Sequence, residues 1–341
     1  MKRESFLKLI GFMCAAGLSQ VTQAGDSGSL EAYLGMQNTI YVCKSDSDAK
    51  GQKETLHTNS NHAQEIIRRG GYLGPCATYG DKRSLGDGHF QTYAQTTPDG
   101  KLWAIGIAFP ESTFSNLPQD QYDGLNCFDS NGNGVLDLGM PHSGGLIQTD
   151  ECSAGHSREM DFPLKATIAP FKWALVNWQA RGHTPDGVYD TPHFDFHFFT
   201  QDMIERNFIR VGPCALLINC DDMVRGQAPI PAGYLHADFI DVGAVESRMG
   251  NHLIDSTSGE WHGSPFTETW FFGAYDGKVT FWEPMITKAY LESHPFVCKS
   301  IKLPQKYQQA GAYPTSYCIR YRSERHDYTI SLEDFVSREA N

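Results

Sequence analysis

The chain has 341 residues, 40% hydrophobic and 12% aromatic, with 33 glycines and a formal net charge of −12 at pH 7. An acidic surface of that size has the wrong sign for nucleic acid or anionic-membrane partners and argues against both. The length suits one large domain or two smaller ones, and the aromatic and glycine content favours strands joined by many turns.

Residues 1–24 combine a basic start (Lys2, Arg3, Lys8), an apolar stretch from Leu9 to Leu18 and small residues before a cut after Ala24, the pattern of a secretory signal peptide. The expected location is therefore secreted or periplasmic. Loss of Lys2, Arg3, Lys8 and Glu4, net +2, would leave a mature charge of −14. No later apolar run is long enough to span a bilayer, so no membrane insertion is expected. Beyond Cys14 in the apolar stretch there are eight cysteines, an even number that reads as disulfides in an exported chain. Sequence neighbours suggest Cys43 with Cys76, Cys127 with Cys152, Cys214 with Cys220 and Cys298 with Cys318, and the absence of C-x-x-C spacing argues against a cysteine-zinc site.

Residues 25–84 carry a polar run, Lys44 to Asn61, and a short helical candidate, His62 to Arg69, and read as a disulfide-held N-terminal extension. The main β-rich domain is expected over 85–295. Its first hairpin pairs His89–Thr96 with Lys101–Phe109 through Pro98-Asp99-Gly100. Glu111 to Leu117 reads as a short helix stopped by Pro118.

An insertion at 127–152 contains Asp129, Asn131, Asn133, Val135 and Asp137, with Gly134 at the sixth loop position, which matches the first nine positions of an EF-hand-type calcium loop. Position twelve is Met140 rather than Glu, so unless Asp150 or Glu151 folds back to supply the bidentate ligand an affinity on the order of 10⁻⁴–10⁻³ M is expected; the role is structural, and the alternative is an Asn/Gly-rich turn.

Phe171 to Trp178 alternates as a strand and leads into Gly182–Phe199, where His193, Asp195 and His197 alternate with Phe194, Phe196 and Phe198. Period two places the three polar side chains on one face and the aromatics on the other. Along a regular strand, residues two apart are roughly 6–7 Å apart and residues four apart roughly 13 Å, so His193 and His197 cannot share an ion. Workable pairs are His193 with Asp195 or Asp195 with His197, completed by a distant residue such as His252 or Glu283. Such a set suits zinc, iron, manganese or copper. The competing reading is a buried polar network in which Asp195 fixes the histidine tautomers. His183 reads as a turn-stabilising donor, and Tyr189 as a buried tyrosine or a proton donor.

Thr200 to Asn207 is a further short helix. Asp276-Gly277 between Thr267–Tyr275 and Lys278–Ile286 is a strong hairpin signal. Counting outward from that turn sets Trp270 opposite Glu283 and Glu268 opposite Met285, which puts Glu268 and Glu283 on one face. Residues 296–341 read as a C-terminal extension ending in an amphipathic helix, Ser331 to Arg338. The fold class expected is mainly β, an antiparallel sandwich or barrel with a few short helices.

From Gly88 to about Leu291 the order of motifs resembles a family of uncharacterised bacterial exported proteins typified by a Thermus protein under the control of an extracytoplasmic stress sigma factor. The matching stretches are Ala104-Ile105-Gly106-Ile107, Gly182 to Phe199, Met249-Gly250-Asn251-His252 and Phe272 to Thr287, of which the run from Pro192 is the specific one. The chain departs from that pattern in the calcium-like insertion and the cysteine-bearing extensions. The resemblance implies export, a β-rich domain and a homo-oligomer, and brings no established activity.

The functional expectation is an exported metal-binding protein, a metal-dependent hydrolase or lyase acting on a small-molecule or saccharide ligand, in which Asp195 or Glu283 moves a proton. The alternatives are a non-catalytic metal-binding or envelope-stress protein and a structural or carbohydrate-binding β module.

Overall fold

The computed structural model describes residues 39–43, 53–57, 76–97, 100–129, 134–136, 152, 155–210, 221–323 and 325–341. The expected signal peptide and the helix at His62–Arg69 lie outside them.

The described strands, in chain order, are β1 (Thr39–Cys43), β2 (Lys53–His57), β3 (Ala77–Leu85), β4 (Gly88–Thr96), β5 (Leu102–Pro110), β6 (His156–Asp161), β7 (Trp173–Gln179), β8 (His193–Phe199) and β9 (Phe239–Glu246). They continue as β10 (Gly250–Asp255), β11 (Glu268–Tyr275), β12 (Lys278–Thr287), β13 (Phe296–Ser300), β14 (Gly311–Tyr313), β15 (Ser316–Arg322), β16 (Asp327–Glu333) and β17 (Val336–Arg338). Short helices are α1 (Met203–Asn207), α2 (Asp222–Gly226) and α3 (Lys288–Glu292).

Two antiparallel sheets form a sandwich rather than a closed barrel. The seven-stranded sheet runs β6-β7-β8-β12-β11-β10-β9, and the six-stranded sheet runs β13-β15-β16-β5-β4-β3. The fold is mainly β, as the alternating patterns predict. Phe194, Phe196 and Phe198 of β8 point into the space between the sheets and are fully buried. Phe194 meets Trp178 at 4.6 Å and Phe90 at 5.7 Å between ring centroids, and Phe196 stacks on Phe109 at 6.0 Å. Burying such a ring contributes about 1.5–3 kcal/mol, so this aromatic row fixes which face of β8 turns inward.

Residues 77–84 belong to β3, and 296–341 supply β13, β15 and β16, so both segments are built into the six-stranded sheet. β16 pairs with β5 along its whole length, Asp327 with Pro110 through Glu333 with Ala104, and Ile330 and Leu332 are buried beside Ile105 and Ile107. Ser331 to Arg338 is accordingly not a helix: its residues divide between β16 and β17, because Ile330 and Leu332 alternate with Ser331 and Glu333 at the period of a strand.

Disulfides join Cys127 to Cys152 and Cys298 to Cys318, the latter directly opposite one another on β13 and β15. The other two expected pairings involve residues or side chains outside the description.

The hairpin β11–β12 turns at Asp276-Gly277, as expected, but its register differs from the count outward from the turn. A bulge between Gly273 and Ala274 shifts the pairing by one residue, so Phe271 faces Glu283, Thr269 faces Met285 and Glu268 faces Ile286. Glu268 and Glu283 therefore lie on opposite faces. Glu268 accepts a hydrogen bond from Tyr317 Oη and pairs with Lys299, away from Glu283.

Candidate metal centre

The outer face of the seven-stranded sheet carries the polar residues of β8, and sheet pairing brings their partners to them. Gln179, Asn177 and Leu175 of β7 stand opposite His193, Asp195 and His197. On the other side β12 pairs Trp282 with Phe198 and Met285 with Asp195, a register that sets Glu283 beside His197. His252 of β10 pairs with Gly273 of β11, which in turn pairs with Phe281 of β12. The Phe281 ring lies over Gly273, where any side chain would collide with it, and it packs against the His252 ring at 5.1 Å between centroids.

The face is covered rather than open. The β7–β8 loop folds back over it through Gly182, whose carbonyl accepts a hydrogen bond from Gln121 Nε2 at 2.6 Å, and Trp261 and Phe266 flank Tyr189. His193 is fully buried, Asp195, His197 and Glu283 nearly so, and His252 is mostly enclosed. What remains is a cleft of about 80 Å³ whose polar lining includes His183, Asp195, His197, His252 and Glu283. Tyr189, Trp261, Phe271 and Ile254 make its apolar walls.

The titratable side chains fall into two groups. His197, His252 and Glu283 have one ligand atom each within 4.8 Å of one another, and so do His183, His193 and Asp195. In the first, His197 Nε2 lies 3.4 Å from Glu283 Oε1 and His252 Nε2 lies 3.9 Å from Glu283 Oε2. Two ligands each about 2.0–2.1 Å from a tetrahedral ion are roughly 3.4 Å apart, so these separations need only small movements to close on one cation. In the second group His193 Nε2 is 3.1 Å from Asp195 Oδ1, while Asp195 Oδ2 accepts from Gln179 Nε2 at 3.1 Å. As the strand geometry requires, His193 and His197 serve different groups.

Backbone carbonyls set the tautomers. His252 Nδ1 donates to the Ala244 carbonyl at 3.2 Å, His193 Nδ1 to Thr191 at 2.6 Å and His183 Nδ1 to Thr184 at 2.8 Å. Each neutral ring is thereby left with its Nε2 lone pair free, the arrangement found behind metal-ligating histidines. His193 Nε2, Asp195 Oδ1, His197 Nδ1 and Nε2, and Glu283 Oε2 are buried without a hydrogen-bond partner. A packed polar network would satisfy these atoms, since each buried unmade bond costs about 1–3 kcal/mol.

Electrostatics agree with that chemistry. Burial disfavours the imidazolium form of His197, lowering its pKa to about 3, and that of His183, lowering it to about 4 with the help of His193. Burial likewise lowers the pKa of His252. Glu283 is pushed well above the usual carboxylate range, first by burial and then by the charge of Asp195. Burial also opposes ionisation of Asp195, but the electrostatic pull of the surrounding histidines, His193 first, outweighs it and holds the carboxyl below the usual carboxylate range. Metal ligands bind in their deprotonated forms, a state these neutral imidazoles already hold and one that a cation would favour at Glu283.

Other expected residues are placed as follows. Tyr189 is buried with its hydroxyl donating to Glu260 Oε1 at 3.1 Å, and it lines the cleft. His183 keeps the expected backbone bond in its turn, but its ring also packs on His193, 4.8 Å between centroids, in a grouping that sequence spacing gives no sign of. Gln179 and Gly273 are further residues missed from sequence, legible only once strand pairing is known. In the calcium-like loop, the Gly134 amide donates to Asp129 Oδ2 at 2.7 Å and Val135 is exposed, while Asn131, Asn133 and Asp137 lie outside the described residues. No family model, curated protein or solved structure matches this chain.

Proposed function

We propose that the protein is an exported metal-binding protein whose His197, His252 and Glu283 hold a divalent transition ion in a metal-dependent hydrolase or lyase centre. The observation that carries this reading is a set of three ligand side chains from three strands, with buried, unpartnered ligand atoms, lining an enclosed cleft. Two histidines and one carboxylate leave coordination positions for water or substrate, and the adjoining cleft has room for water or a small substrate group. A bound ion would supply Lewis acidity towards a substrate oxygen or a water molecule. Glu283 then acts as a ligand, and Asp195, ionised beside it, supplies negative charge that favours a cation. Zinc, iron, manganese and copper all suit these donors. The tyrosine and tryptophan in the walls suit a small organic or saccharide ligand with a flat apolar face.

Export is supported by the basic and apolar N-terminal pattern together with the disulfides Cys127–Cys152 and Cys298–Cys318. Calcium in the 127–152 insertion is proposed on the spacing of its oxygen-bearing side chains.

The test is elemental mass spectrometry of protein purified from an oxidising, exported source, with wild type beside His197→Ala and His252→Ala. Near-stoichiometric transition metal in the wild type, diminished in both variants, is the expected result. A wild-type chain that takes up no transition metal even after reconstitution overturns the proposal.

A further inference from the structure

We infer that His183, His193 and Asp195 form a second site for a divalent transition ion, beside the one built on His197, His252 and Glu283. The inference extends the metal-centre reading but stands on its own residues.

The three side chains bring ligand atoms within 4.8 Å of one another, and none of these residues belongs to the first group. The decisive contact is that between His193 and Asp195. His193 Nδ1 is committed to the Thr191 carbonyl, so the Nε2 of the neutral ring is an acceptor, and it faces the acceptor Oδ1 of Asp195 at 3.1 Å. Two acceptors at that distance repel unless something positive lies between them, either a proton or a metal cation. Both atoms are buried and without a hydrogen-bond partner, and their residues are 0% and 3% exposed. His183, fixed through its own Nδ1 to Thr184, adds a third donor, with its Nε2 lone pair free.

A proton alone would give a buried His193–Asp195 ion pair, for which a third imidazole has no use. A cation would use all three: two neutral imidazoles and one carboxylate match the borderline donor set of zinc and its neighbours. Gln179 Nε2, bonded to the other oxygen of Asp195, orients the carboxylate as the carbonyls orient the rings. Binding displaces the shared proton to solvent. Asp195 and His197 alternate on β8, so the two ions would sit roughly 6–7 Å apart if they follow the strand spacing. His183 and Asp195 of this group line the same cleft as His197, His252 and Glu283 of the other.

The experiment counts Zn²⁺ per chain in metal-stripped protein reloaded with zinc, then dialysed against a weak competing chelator that clears exposed histidines such as His326. Wild type, His183→Ala, Asp195→Asn and His252→Ala are compared, with circular dichroism confirming that each is folded. Two zinc ions in the wild type and one in each folded variant are expected. Asp195→Asn keeps the shape of the side chain and so preserves the test if His183→Ala does not fold. One ion in the wild type, lost in His252→Ala but kept in His183→Ala and Asp195→Asn, overturns the second site and leaves the first. One ion kept in His252→Ala and lost in the other two variants supports the second site and overturns the first. No bound zinc in the wild type removes both.

Discussion

Gly273→Ala tests the geometry of the centre without touching a ligand. A methyl group at this position would lie 2.0 Å from two carbons of the Phe281 ring, where ordinary carbon contacts are about 3.5–4.0 Å. The ring would have to retreat by about 1.5–2 Å. It is fully buried, 4.9 Å from the His197 ring, 5.1 Å from the His252 ring and 5.0 Å from Phe199, so any retreat presses on both imidazoles. Overpacking of this kind costs about 1–3 kcal/mol, and at roughly 2–4 °C per kcal/mol the melting temperature should fall by roughly 2–12 °C. Tilting both imidazoles should weaken zinc binding about 10–100-fold, the range seen when groups that orient ligands are disturbed. Calorimetric melting of metal-free protein gives the first quantity, and competition with a chromophoric chelator gives the second. Wild-type melting and wild-type zinc affinity together would refute the packing argument. A lowered melting temperature with unchanged affinity would refute the claim that Phe281 positions the two histidines.

Two further outcomes follow from the same structure. In metal-free protein the folded state holds a proton on Glu283 that the unfolded chain releases above about 4.5, so this group's contribution is full at low pH and is lost as pH rises towards the raised folded value, at about 1.4 kcal/mol per pH unit. Metal-free Glu283→Gln should therefore be more stable than wild type at pH 7 in urea unfolding and should bind zinc more weakly; equal stability at pH 7 would count against the buried, protonated carboxyl. The Cys298–Cys318 disulfide spans a sequence separation of 20 and ties β13 to β15, so the double Cys→Ala variant should lose about 3 kcal/mol in urea unfolding under oxidising conditions, and an unchanged midpoint would refute that contribution.

How much of this could be read from the chain differs from element to element. The alternation from His193 to Phe199 determined both faces of β8, because a pleated strand sends successive side chains to opposite sides. Asp276-Gly277 determined the turn of the β11–β12 hairpin, and the cysteine spacing suggested the two disulfides the structure describes. The strand spacing also showed that His193 and His197 could not share an ion. Tertiary structure alone decided which distant residues complete each group. His252 reaches Glu283 because two pairings in succession set it opposite Gly273 and Gly273 opposite Phe281, and Glu283 faces this side because a one-residue bulge changed the register counted from the turn. His183 joins His193 because the β7–β8 loop folds back over the sheet. β16 lies between β5 and β15, far from β5 in sequence, and no local period encodes that insertion. Side-chain alternation is a property of neighbouring residues and is visible in sequence, whereas register, bulges and loop return depend on contacts between residues far apart in the chain, which only the folded packing settles.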